Sequence, residues 1–153
     1  AYRAAMLKAV LNRNFNWEAP VALDIENTNK GYVLGRLFAV YEQIQTAALG
    51  RNVNATIKDK FYSSASAQPR KVFKLLDTSS SHHLSKLGKQ SPGYRVVLEK
   101  QLSDLMAKMS PSDDPFPTSF SAEQQTLFAL GYYHQRSEFF KSKKTDISEG
   151  ADI

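Results

Sequence analysis

Apolar residues recur at helical spacing along most of the chain, and nowhere do they alternate with polar ones as a half-buried strand would require. The clearest stretch opens at Thr28 or Asn29, either of which can cap a helix. Leu34, Leu37, Phe38, Tyr41, Ile44 and Ala48 then share one face until Gly50 supplies a stop. A second stripe starts at Ser91-Pro92 and runs through Tyr94, Val97, Leu98, Leu102, Leu105, Met106 and Met109. It predicts a helix over 92–109 that ends before Pro111. A third starts at Ser121, which with Gln124 has the form of a capping box, and carries Leu127, Phe128, Leu130, Tyr132, Tyr133, Phe139 and Phe140.

Shorter elements fill the rest. Tyr2, Met6, Ala9 and Val10 predict a first helix to about Arg13, followed over 14–27 by a loop holding Trp17 and Pro20. Asn54 reads as the cap of a helix from Ala55 to Tyr62 with Ile57 and Phe61 inward, and Ser63 to Gln68 as a polar connector. Pro69 suits a first helical position, with Val72, Phe73, Leu75 and Leu76 burying one side before an end near Asp77. After the serines at 79–81, His82, His83, Leu84 and Leu87 predict one or two further turns closed by Gly88. The fold expected is all-α: a single irregular helical bundle over 1–140, with a flexible charged tail over 141–153.

Composition agrees with one packed domain, since 153 residues with 42% hydrophobic and 23% charged side chains can bury a real core. The absence of cysteine excludes disulfides, thiolate metal sites and a thiol nucleophile, which suits the cytoplasm. No stretch approaches the roughly 20 apolar residues of a membrane span, and nothing reads as a secretory signal. The chain begins at Ala1 rather than Met, so residues can precede it. The net charge of +5 is concentrated in the middle. Residues 51–90 carry eight basic side chains (Arg51, Lys58, Lys60, Arg70, Lys71, Lys74, Lys86 and Lys89) against Asp59 and Asp77 alone. A phosphate-bearing partner would meet that segment.

Candidate chemistry is thin elsewhere. His82 and His83 are adjacent and diverge by about 100° on a helix, so they cannot easily share a metal. His134 and Glu138 stand at i, i+4 but lack a third ligand at a recognisable spacing. No Gly-x-Ser-x-Gly, phosphate-binding glycine loop or dinucleotide fingerprint occurs. No metal, cofactor or catalytic residue is therefore expected. The sequon at Asn54-Ala55-Thr56 stands in a chain without a secretion signal. Among the aromatics interleaved with the basic segment, Phe61 and Phe73 fall on apolar faces, and Tyr62 is the expected exposed stacking residue.

Three strings carry a resemblance: Gly31-Tyr-Val-Leu-Gly-Arg-Leu-Phe-Ala-Val-Tyr41; Asn54-Ala-Thr-Ile-Lys-Asp-Lys-Phe-Tyr62 leading to Ser64-Ala-Ser66; and Leu127-Phe-Ala-Leu-Gly-Tyr-Tyr-His-Gln-Arg136. Together with His82-His83-Leu84-Ser-Lys-Leu87, they are similar to the C-terminal helical part of the large subunit of type I-C CRISPR Cascade, over about residues 28–140. A chain holding this part alone resembles the separate small subunit of such systems. The resemblance implies a non-catalytic bundle, packed on the backbone and large subunits beside other copies of itself, that meets guide RNA and unwound target DNA. Its binding residues would be Arg51, Lys58, Lys60, Tyr62, Arg70, Lys71, Lys74, Lys86 and Lys89. The alternative is an architectural bundle whose basic surface meets acidic protein neighbours. A metal-dependent nuclease using His134 and Glu138 is a distant third.

Overall fold

The computed structural model describes residues 22–109 and 115–150, with side chains up to Lys141. The expected helix at 2–13, and the loop after it as far as residue 21, lie outside the described residues. Five helices follow: α1 (Lys30–Leu49), α2 (Ile57–Ala67), α3 (Pro69–Gln90), α4 (Pro92–Ala107) and α5 (Ala122–Gly150). Among the described residues there is no strand, so the fold is the expected all-α bundle.

α1 is the central element. Asn29 caps it by accepting from the Gly31 amide, and Gly50 ends it at a φ of +81°, a conformation that costs glycine little. Every residue from Gly31 to Tyr41 is buried, because α1 touches each of the other four described helices. Its closest neighbour is α5. Gly31 lies beside Gln124 and Leu127, Gly35 beside Phe128 and Tyr132, and Arg36 beside Gln135, so the two helices run parallel. The absent side chains at Gly31, Gly35 and Gly131 permit this approach; a Cβ at Gly131 would overlap the carbonyl oxygen of Tyr32. Phe38 sits at the centre of the core, its ring 5.6–6.5 Å from those of Tyr62, Phe73, Phe128 and Tyr132.

Four expectations are corrected. The cap before α2 is Thr56, not Asn54: its hydroxyl accepts from the Asp59 amide while the Asp59 carboxylate accepts from the Thr56 amide. α2 then continues through the expected polar connector to Ala67, because Ala65 and Ser66 are buried against the core. The helix starting at Pro69 does not stop at Asp77. It absorbs the serine run and runs unbroken to Gln90, with Gly88 inside it. Thr78 returns its hydroxyl to the Lys74 carbonyl, and Ser80 and Ser81 return theirs to that of Asp77, so these side chains are satisfied without leaving the helix. The capping box at Ser121 is half made: its hydroxyl accepts from the Gln124 amide, but the Gln124 side chain crosses to accept from the Gly31 amide.

The stripe on α4 is narrower than expected. Leu98, Leu105 and Met109 are buried, whereas Val97 and Met106 are exposed, and the helix ends at Ala107. α5 continues past Lys141 to Gly150.

Candidate nucleic-acid surface

The continuity of α3 decides where the basic residues point. With an unbroken turn of 3.6 residues, Lys71, Lys74, Lys86 and Lys89 fall on one face. Leu75, Thr78, His82 and Ser85 lie between them and all are exposed, while Asp77 lies to one flank. The face extends about 27 Å at 1.5 Å per residue. None of these lysines has a carboxylate partner among the described residues.

The other expected site residues do not join that face as a group. Arg70, on the turn where α3 begins, is fixed locally, its Nε donating to the Phe116 carbonyl at 3.2 Å. Lys60 is exposed on α2. Lys58 and Arg51 lie towards α5. The Lys58 ammonium stands 5.6 Å from the ring centres of both Tyr132 and Tyr133, and Arg51 shares a cavity of about 220 Å³ with Thr56, Arg136, Phe139 and Phe140. Tyr62 is a correction. It is not an exposed stacking ring but is half-buried, 5.5 Å from Phe128 and 5.1 Å from Tyr132, and burial raises its hydroxyl pKa.

The sequence missed the aromatics that are exposed. Tyr133 and Phe140 are 51% and 44% exposed, and with Arg136 they stand at i, i+3 and i+7 on one face of α5. The Arg136 guanidinium lies 5.2 Å over the Phe140 ring. It also reaches Glu42 at 3.8 Å, and that carboxylate accepts a 2.5 Å hydrogen bond from the Tyr132 hydroxyl. Glu42 is thereby turned inward and engaged from two sides. The sequence signal was the pair of doublets Tyr132-Tyr133 and Phe139-Phe140, since neighbours on a helix diverge by about 100° and cannot both face one core.

The histidines do not converge. His82 is exposed, while His83 is half-buried with Nδ1 unpartnered, its pKa lowered by burial, then by His82 and Lys86. His134 Nδ1 is hydrogen-bonded to the Tyr32 hydroxyl at 2.8 Å. Tyr32 also accepts from the Asp24 amide, and burial lowers the pKa of His134. Glu138 pairs with Lys141 at 2.8 Å. Among the described residues, no three of His, Asp and Glu are grouped as metal ligands, and no helix is long and apolar enough to cross a membrane.

A search of curated proteins found no match. A comparison with family models gave a match over residues 1–140 to CRISPR-associated protein (Cas_Csd1), which takes in all five helices but the end of α5 and fits a role in a Cascade-type complex. The chain therefore belongs to the Cas_Csd1 family of CRISPR-associated proteins.

Proposed function

We propose that the chain serves as a non-catalytic small subunit of a type I-C CRISPR RNA-guided surveillance complex, where its α3 lysine face holds the phosphates of unwound target DNA. The observation that carries this is the alignment of Lys71, Lys74, Lys86 and Lys89 along one exposed, acid-free face. A row of compact ammonium groups suits a repeating line of phosphates, which it can bind without reading bases. Pairing between guide and target supplies sequence choice, and protein cations hold the opened strands. In this reading the chain works in the cytoplasm, packed on the backbone and large subunits and on further copies of itself, and it needs no cofactor.

The test is DNA binding by complex assembled with wild-type chain or with Lys71, Lys74, Lys86 and Lys89 changed to Ala, over a salt series. Each lost contact on a single strand should lower the slope of log affinity against log salt by about 0.7, or about 2.8 for all four. The loss should be similar on unrelated matched targets. Intact assembly with unchanged affinity and slope would overturn the reading and leave a basic surface that meets acidic protein neighbours instead.

A further inference from the structure

We infer that the outer face of α5, formed by Tyr133, Arg136 and Phe140 with Lys58 and Arg51 beside it, is a second contact site that takes the unpaired bases of a single strand by stacking. The inference rests on the nucleic-acid reading above and adds to it a site that recognises bases where the α3 face recognises phosphates. Tyr133 and Phe140 leave two large rings about half in solvent on one helix face. Each lies next to a cation: Lys58 stands 5.6 Å from Tyr133, and Arg136 stands 5.2 Å over Phe140. Exposed rings interleaved with cations are the combination that single-strand binders use, the rings meeting the π-faces of bases and the cations their phosphates.

The surroundings suit the same occupant. Among the described residues the carboxylates near the strip are engaged: Glu42, 17% exposed, by Tyr132 and Arg136, and Asp59, beside Lys58, by the amide and hydroxyl of Thr56. The cavity beside the strip, lined by Gln43, Gln45, Thr46 and Arg51 together with Phe139 and Phe140, offers amide donors and acceptors next to apolar surface. The Cα atoms of Tyr133 and Phe140 are about 10 Å apart along the helix, so the two rings serve different nucleotides. Duplex bases are already stacked on each other, so the site selects unpaired strands.

The experiment uses the full chain and three probes: an oligothymidylate, an abasic strand with the same number of phosphates, and a hairpin duplex. Wild type should bind the oligothymidylate more tightly than the abasic strand at the same salt. Tyr133→Leu and Phe140→Leu keep an apolar side chain at exposed positions, and each should weaken oligothymidylate binding roughly five-fold to a hundred-fold. Binding of the abasic strand and the duplex, and the salt slope, should stay as in wild type. The α3 lysine variant should show the reverse, a flatter slope with the preference for bases retained. If both strands bind equally with a slope that depends on the α3 lysines, base stacking is overturned while the phosphate reading stands. If no strand binds in a salt-dependent way, the nucleic-acid reading itself falls. Binding of a polyglutamate peptide that is lost in the α5 variants would assign the strip to an acidic protein partner.

Discussion

The contact between α1 and α5 can be tested with a single methyl group. A Cβ added at Gly35 would overlap the carbonyl oxygen of Phe128 and lie 2.8 Å from its carbonyl carbon and 2.9 Å from the Tyr132 amide nitrogen. These are main-chain atoms inside a helix, so no rotamer change can clear them. On an exposed helix the change from glycine to alanine gains up to about 1 kcal/mol. Here it must separate two parallel helices, and overpacking of that kind costs about 1–3 kcal/mol or somewhat more. The separation also loosens Phe38, Phe128 and Tyr132, which are fully buried between them. A net loss of about 3 kcal/mol is expected from overpacking together with this loosening, less the gain in propensity. For a chain of 153 residues that lowers the unfolding midpoint by about 6–12 °C. Thermal unfolding followed by far-ultraviolet circular dichroism measures the shift, and urea denaturation the loss of stability. Gly93→Ala is the control: nothing lies within 4 Å of its Cβ, so it should be neutral or slightly stabilising. A Gly35→Ala protein as stable as wild type would refute the close parallel packing.

Two further outcomes follow from buried and half-buried polar groups. Arg36 is 8% exposed, its Nε donates to Gln135 at 3.0 Å, its Nη1 has no partner, and burial lowers its pKa. Gln135→Leu should therefore cost about 1.5–3 kcal/mol, and Arg36→Met with Gln135→Leu should recover most of it; equal losses in the two would contradict the account. Burial lowers the pKa of both His134 and His83, the first against an opposing pull from Asp24 and the second with help from His82 and Lys86. Above their ordinary value near 6.5 both states are neutral and stability is flat. As pH falls through it the unfolded chain takes up protons that the folded chain resists, so stability drops. Urea midpoints between pH 7 and pH 5 should show that decline, reduced in His134→Gln; a rise on acidification would reverse the sign.

Helices whose apolar rows were complete were legible in the sequence: α1 with its Asn29 cap and Gly50 stop, and the start of α4 at Pro92. α3 was not, because serine and threonine have weak helix propensity and a polar run reads as a connector. Its buried row in fact continues through Leu76, Ser80, Leu84 and Leu87, and Ser80 is the one polar member that hid the period. Burial outweighed propensity there. The basic residues themselves were plain from the sequence, but whether Lys71 and Lys89 share a face depends on the 22-residue continuity of that helix. Tyr62 was misassigned for a related reason: a tyrosine among lysines suggests solvent, and only tertiary packing places its ring between Phe38, Phe128 and Tyr132.

The burial of α1 constrains where function can lie. The positions Gly31 to Tyr41 of α1 are closed off on every side and present nothing to a macromolecular partner, so binding falls to the end of α1 beyond Tyr41 and to helices that cover it on one side only. α3 buries Val72, Phe73, Leu76, Leu84 and Leu87 and leaves its opposite side to lysine; α5 buries Phe128 and Tyr132 and leaves Tyr133 and Phe140 outside. The two free faces differ in kind, since one carries charge without Phe, Tyr or Trp rings and the other carries such rings with adjacent charge. Substitutions on α3 should therefore act through the salt dependence of binding, and substitutions on α5 through the presence or absence of bases at fixed salt. A variant set that moved both quantities together from either helix would show that the faces are not separate sites.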